Sequence, residues 1–315
     1  MPPNNLALYL IFFYLEIAYD ICEPNIKKVR RTPLQMRNTE KVMGKFNNKK
    51  VLITGGASGI GRIMGAMALD KGASTLVIWD INRTNIDDTL NELSSKGNVV
   101  GYCIDISDEA AVINTAKMVK SEVGDIDIVI NCAGIITSNK TFDQCNTAEI
   151  HRTININTIA PMVVTLQFLP DMIARNSGHI CNISSAGGLI SNPKMSVYAA
   201  SKWAVIGWSD SVRIELEQMK SKVRVTTIAP YYIKTGMFEG VKSPIVPLMK
   251  PEYAARQIIR AIERNKIIKV ITKLIPFPYH FVRLMQGIMP TKLFDWFFGQ
   301  VFGIYHSMDN FTGKK

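Results

Sequence analysis

Seven short runs rich in β-branched residues, separated by longer stretches with helical periodicity, fill the chain from residue 50 to about residue 272. The short runs lie at 51–54, 75–79, 99–104, 126–130, 179–183, 223–228 and 267–271. Helical periodicity stands out at 60–71, 108–123, 147–169, 197–219 and 251–264. A brief, nearly continuous apolar run fits a strand covered on both faces, and parallel neighbours require a crossover long enough to hold a helix. Right-handed crossovers then leave one main solution, an α/β fold with a seven-stranded, doubly wound parallel sheet. The 315 residues suffice for a single such domain with an extension at each end. With 47% apolar and 20% charged residues, the chain is neither disordered nor fibrous.

The two ends differ from the middle. Residues 6–15 (LALYLIFFYL) form an apolar run that Glu16 interrupts. As a helix it would extend roughly 15 Å, half of a ~30 Å hydrocarbon core. No lysine or arginine precedes the run, while Lys27, Lys28, Arg30 and Arg31 follow it. This favours a retained membrane segment over residues 1–31, ahead of a cleaved signal peptide or a buried helix. Residues 32–48 read as a linker to the α/β domain at 49–272, and residues 273–315 as an apolar extension of short helices. That tail, with Phe277, Phe281, Leu284, Trp296, Phe297 and Phe298 beside Lys273, Arg283 and Lys292, is expected to roof a substrate cleft, touch a membrane, or pack on the sheet.

Charge follows the same division. Residues 1–50 carry nine basic and four acidic side chains and residues 241–315 twelve and four, whereas residues 51–240 carry sixteen and eighteen. A nucleic-acid enzyme would concentrate its basic residues on the core domain, so no nucleic-acid partner is expected. Basic flanks beside apolar segments point instead to an anionic membrane surface, with the folded domain on the cytosolic side. Five scattered cysteines without a C-x-x-C pair argue against a disulfide framework, and with four dispersed histidines no metal site is expected.

Two motifs carry chemistry. Thr54-Gly55-Gly56-Ala57-Ser58-Gly59-Ile60-Gly61 follows the first run and opens the first helical stretch. Glycines there let a phosphate approach main-chain N–H groups at a helix N-terminus. The second run ends in Asp80, a carboxylate placed to accept hydrogen bonds from both hydroxyls of an adenosine ribose and to repel a 2′-phosphate. The pattern is that of a Rossmann-type site for NAD, and nearby Arg83 keeps NADP open. The second motif is Tyr198-Ala199-Ala200-Ser201-Lys202 at the start of a long helical stretch. Positions i and i+4 share a helical face, and a fixed cation beside a phenol favours its ionised, basic form. Ser185 follows the fifth run, at the strand edge where doubly wound sheets bind ligands. His179 is read as structural, and Trp203 and Trp208 as packing or dimer-interface residues.

Over residues 48–265 the sequence resembles the short-chain dehydrogenase/reductase family. The resemblance rests on the 54–61 turn, Asp80, Asp105-Ile106, Asn131-Cys132-Ala133-Gly134, Asn157, Ser185, Tyr198 and Lys202. It implies a catalytic tetrad. Tyr198 would be the general acid/base and Ser185 would hold the substrate oxygen. Lys202 would bind the nicotinamide ribose and lower the tyrosine pKa, and Asn157 would help hold a proton-relaying water. Gly55, Ser58, Gly59, Ile60 and Gly61 would cradle the cofactor and Asp105 and Ile106 would flank the adenine. Asn131, Ala133 and Gly134 would line the cleft, and the loop with Pro230, Ile233 and Thr235 would close on the cofactor. Cys132 stands where asparagine is usual, and Tyr231 where glycine is usual.

The leader, the LVIWDIN strand, PEYAARQIIRAI and the aromatic tail resemble the membrane-associated branch of that family. The branch implies a homodimer on the endoplasmic reticulum membrane or a lipid droplet, oxidising a retinoid, sterol or long-chain alcohol with NAD. The rival readings are an NADPH-dependent carbonyl reductase and a non-catalytic membrane scaffold.

Overall fold

The computed structural model describes residues 44–137, 139–243, 246–272, 279–301 and 303–313. The proposed membrane segment, most of the linker, Lys273 and Phe277 lie outside the described residues. Residues 44–48 do not behave as linker, because Phe46 is fully buried among core residues.

Seven strands form one parallel sheet: β1 (Lys50–Thr54), β2 (Thr75–Asp80), β3 (Asn98–Cys103), β4 (Ile128–Asn131), β5 (His179–Ile183), β6 (Arg224–Pro230) and β7 (Ile268–Ile271), in the order β3-β2-β1-β4-β5-β6-β7. The order reverses between β1 and β4, whose carboxyl ends meet where Thr54 pairs with Asn131. A crevice must open there, because the crossovers leave that point in opposite directions. Alternate side chains of each strand face opposite layers. Val51, Ile53, Leu76 and Ile78 pack with α1 (Gly59–Asp70), α2 (Arg83–Leu93) and α7 (Pro251–Glu263). Leu52, Val77, Trp79 and Val129 pack with α3 (Glu109–Glu122), α5 (Ala160–Ala174) and α6 (Ser196–Gln218). Helix α2 was not among the stretches singled out by periodicity. Its start is fixed by Asn82, whose side chain accepts from the backbone N–H of Asn85 at 2.9 Å.

The helical stretch expected at 147–169 runs on to Ala174 and is not uniform. It consists of α4 (Thr147–Ile154), a π-helical turn (Asn155–Ile159) and α5. By length and composition it is apolar enough to cross a membrane. Here Ala160, Val164, Phe168 and Met172 are buried in the sheet layer, as the crossover helix of a doubly wound fold requires.

Beyond β7 lie α8 (Tyr279–Ile288), α9 (Thr291–Asp295), a π turn (Trp296–Val301) and a 3₁₀ turn (Ile304–His306). Val282, Phe294 and Phe298 are buried against Leu189, Ile206 and Ala229, with Phe281 and Phe297 packed at the edge of the same cluster. Three of the aromatics expected at a membrane are therefore packing residues, while Leu284, Ile288, Leu293 and Trp296 remain exposed. The last residues form a strap. Met308 is fully buried, and its carbonyl accepts from Asn139 Nδ2 at 2.9 Å.

Candidate active site

The turn after β1 is shaped by what cannot fit in it. Gly55 has φ +65°, and a Cβ there would sit 2.9 Å from the Cα of Ala133. A Cβ on Gly61 would lie 2.1 Å from the Gly55 carbonyl oxygen. The chain thus doubles back against the end of β4, leaving the N-terminus of α1 open to the crevice. Asp80 braces this turn, since one carboxylate oxygen accepts from Ala57 N at 3.1 Å and the other from Asn82 N at 3.1 Å. The carboxylate also lines the cleft, where its remaining lone pairs are available to hydroxyl donors. Arg83 does not line the cleft and pairs with Asp87 at 3.1 Å.

One elongated cleft gathers most of the residues expected from sequence. Gly55, Ser58, Gly59, Ile60, Gly61, Asp80, Asp105, Ile106, Ala133, Gly134, Ser185, Tyr198, Lys202, Pro230, Ile233 and Thr235 all line it. Two do not. Asn131 is buried beneath, its Nδ2 donating to Thr165 Oγ1 at 2.9 Å and Asn182 Oδ1 at 2.8 Å. Asn157 is also buried. Its Oδ1 accepts from Ile135 N at 2.8 Å, and its Nδ2 donates to Ile135 O at 2.9 Å and Ser201 Oγ at 3.1 Å. The π turn presents this amide to both segments, clamping the β4 exit loop onto the second turn of α6. Cys132 takes the place of the usual asparagine; burial pushes its thiol up to about 12, against the pull of Lys202.

Tyr198 and Lys202 sit in the first two turns of α6, both buried. Lys202 Nζ donates to the Ile183 carbonyl at 3.0 Å and stands 5.8 Å from the centre of the Tyr198 ring. The 3₁₀ turn Ala186–Gly188 brings Ser185 alongside, because a Cβ on Gly188 would sit 2.7 Å from the Lys202 carbonyl oxygen. Burial raises the Tyr198 phenol to about 12 while its hydrogen bond with Ser185 pulls the other way. Burial lowers the Lys202 ammonium to about 8. The phenol is thus a proton donor at neutral pH, and a further cation is needed to make it an effective base.

A second cavity adjoins the cleft and shares Ser185, Tyr231 and Phe238 with it. Its other walls are mostly apolar, with Leu189, Ile190 and Met195 from one loop, Val270 from β7, and Val282, Phe298 and Ile304 from the tail. Of these, the sequence pointed only to Phe298, through the aromatic tail expected to roof a substrate cleft; the others carried no signal. Tyr231, set where glycine is usual, fills part of this wall and meets the Tyr232 ring at 4.7 Å. Trp203 faces α8, with the Arg283 guanidinium 6.0 Å from its ring. His179 is structural, with Nε2 2.8 Å from Thr226 Oγ1 and burial lowering its pKa to about 3.

The family model for short chain dehydrogenases matches residues 49–245. Epidermal retinol dehydrogenase 2 of Mus musculus is 37% identical over 271 residues, covering 84% of this chain and 85% of the relative. Estradiol 17-beta-dehydrogenase 11 of Macaca fascicularis is 31% identical over 244 residues, covering 77% and 79%. Among solved structures, NAD⁺-bound xylitol dehydrogenase superposes with a TM-score of 0.65 at 22% identity, over 72% of this chain and 99% of that one. Levodione reductase gives 0.66 at 23% identity, over 72% and 97%.

Proposed function

This chain belongs to the short-chain dehydrogenase family, and from that premise we propose that it is an NAD-preferring dehydrogenase of lipophilic alcohols. Nicotinamide-dependent oxidoreduction is the chemistry its family membership supports. The observation that carries the finer reading is the position of Ser185 and Tyr198, where a glycine-lined cleft meets an apolar chamber. The two cavities suit two different ligands, a nucleotide and an apolar small molecule. Kinship with a retinol dehydrogenase and an estradiol dehydrogenase supports a retinoid, sterol or long-chain alcohol as that second ligand.

The cradle at Gly55 and Gly61 fits a pyrophosphate approaching main-chain N–H groups, and Asp80 fits ribose hydroxyls. The bound nicotinamide supplies a hydride acceptor and, when oxidised, a positive charge. Lys202 would hold its ribose. Ser185 holds the substrate oxygen, and Tyr198 takes the hydroxyl proton as the carbinol hydrogen leaves as hydride. In the reverse direction the protonated phenol gives its proton to the carbonyl oxygen. Asn157 acts through the backbone of residue 135 and through Ser201, fixing the floor on which Tyr198 stands. The chamber's apolar walls exclude water from this proton transfer.

Asp80, together with the pairing of Arg83 to Asp87, supports NAD over NADP. Exposed Leu284, Ile288, Leu293 and Trp296, with Lys292 nearby, support a membrane contact in addition to the apolar leader. We place the enzyme on the endoplasmic reticulum membrane or a lipid droplet, facing the cytosol. Exposed Ile159 and Leu166 on the 147–174 helical stretch and Ile214 on α6 support a homodimer through that face.

A matrix of NAD and NADP against retinol, a 17β-hydroxysteroid and fatty alcohols, run on the full chain in detergent, tests the reading. NAD should be preferred, and Asp80→Ala should erode that preference about tenfold, mainly in KM. Equal use of both cofactors by the unmodified protein would refute the assignment of Asp80. Recovery of the full-length protein in the soluble fraction after membrane fractionation would refute the membrane placement.

A further inference from the structure

Four charged side chains line the cofactor cleft: Asp80, Asp105, Lys202 and Arg152. The first three are engaged. Asp80 braces the glycine turn, and Asp105 Oδ1 accepts from Ser107 N at 2.9 Å and from Ser107 Oγ at 2.7 Å. Lys202 donates to the Ile183 carbonyl beside the reacting phenol. Arg152, in the last turn of α4, is exposed, and its guanidinium has no hydrogen-bond or ion-pair partner among the described residues. Helical spacing makes Glu149, three residues earlier, the natural partner. Glu149 is taken. One of its oxygens binds the Lys140 ammonium at 2.8 Å and the other accepts from Asn146 N at 3.2 Å, completing the capping box that starts α4. Arg152 is left for the cleft.

Packing shows which end of the cleft it serves. Arg152 and Ile156 are four residues apart on one continuous helical stretch and so share a face. Ile156 also lines the cleft, and it packs with the cluster that holds Trp79, Ile104 and Ile106. Trp79 belongs to β2, and Ile104 and Ile106 follow β3. In the sheet these two strands lie across β1 from β5, whose end carries Ser185. Arg152 therefore stands at the end of the cleft that holds Asp80, one helical turn from a floor of isoleucines. A flat apolar base fits that floor, and its outer face stays open to water unless a side chain covers it.

We propose that Arg152 is a further cofactor-binding residue, its guanidinium covering the outer face of the adenine and holding the base against Ile106 and Ile156. A planar, weakly hydrated guanidinium gains cation–π and stacking energy on an aromatic base. The compact, strongly hydrated ammonium of lysine does so less well. The pyrophosphate is the rival target. It belongs at the Gly55–Gly61 turn after β1, where main-chain N–H groups are placed to receive it, whereas Ile156 ties Arg152 to the side of β2 and β3. The inference rests on the nucleotide reading of the cleft and not on the identity of the alcohol.

The test uses the full chain in detergent, with NAD binding measured by calorimetry and melting temperature as the check on folding. Adenosine and nicotinamide mononucleotide are measured by their displacement of NADH, followed by its fluorescence. Arg152→Ala should weaken NAD and adenosine by the same factor, about tenfold, and leave the mononucleotide unchanged. Arg152→Lys keeps the charge but loses the planar fork, so it should restore at most about threefold of that affinity. Unchanged NAD affinity in Arg152→Ala would overturn the proposal and leave Arg152 a solvated helix residue. So would a loss for NAD that adenosine does not share and that lysine restores, because the guanidinium would then be reading phosphate. Equal weakening of the mononucleotide would overturn it too, since the damage would not be local to the base. If adenosine fails to displace NADH from the unmodified protein, the base subsite is too weak to be the one proposed. All four of these outcomes leave the nucleotide reading standing, whereas failure of the unmodified protein to bind NAD would overturn both.

Discussion

The cofactor cleft is built from the segments that follow β1 to β6, with the glycines at 55, 59, 61 and 134 and the carboxylates of Asp80 and Asp105 among its walls, whereas the chamber beside it is walled mostly by apolar side chains from loops and from the tail beyond residue 279. In the cleft, residues close in sequence do the work together, as Gly55 and Gly61 do within one turn. In the chamber, Leu189 and Phe298 pack in one cluster although more than a hundred residues separate them. A nucleotide presents constant features, so a short motif can recognise it. An apolar ligand is recognised by shape, and shape is set by whichever side chains converge on the space.

The comparison breaks most sharply at Tyr198, which lines the cleft and packs with Phe238 of the chamber. Tyr198→Phe should lower turnover by about 10²-fold or more while leaving cofactor affinity and folding intact. Stopped-flow measurement of NADH formation, with cofactor binding followed by fluorescence, checks both halves of that statement. Substantial residual turnover would remove Tyr198 from its role.

Next in size is an effect confined to the cleft. Gly61→Ala forces a methyl group against the Gly55 carbonyl oxygen. Overpacking of this kind costs about 1–3 kcal/mol, so NAD affinity should fall by roughly tenfold or more. Isothermal titration with NAD and with an alcohol decides whether the damage stays on the cofactor side. Comparable weakening of both ligands would show that the cavities are not independently built.

The pH profile probes the junction. Oxidation uses the ionised phenol of Tyr198 and reduction the protonated one, and burial raises that phenol to about 12. From pH 6 to 8, then, kcat/KM for oxidation should rise with the ionised fraction while that for reduction stays flat. Lys202→Met removes the neighbouring cation, which should move the oxidation profile up by about one pH unit, in addition to any loss of cofactor affinity. An unmoved profile would mean that Lys202 acts only as a tether.

The smallest expected effect on ligand binding belongs to the strap. Met308 is fully buried in the cluster that holds Tyr198 and Tyr232. Met308→Ala should raise the alcohol KM a few-fold and leave NAD binding unchanged, with a loss of about 2–5 kcal/mol of packing free energy if the cavity does not collapse. Denaturation midpoints and paired KM measurements separate these outcomes. A change in NAD binding would tie the tail to the cleft as well.

The sequence by itself determined the sheet, because strand and helix periodicities are local and the parallel topology follows from their alternation. It determined the cofactor side for the same reason, since a tight glycine turn and a strand-end carboxylate are legible within thirty residues. Tertiary structure alone decided the rest. The resemblance implies that Asn157 helps hold a proton-relaying water, but the π turn that carries it has no distinct sequence period, and only the fold shows its amide bonding Ile135 and Ser201. Phe281, Phe297 and Phe298 looked like membrane contacts, yet an apolar side chain gains as much from a neighbouring core as from lipid, and only the fold shows which lies nearer. Arg152 gave no signal at all. Whether an arginine is free depends on the partners around it, and only the fold shows that its helical neighbour Glu149 is taken by Lys140 and by the cap of α4.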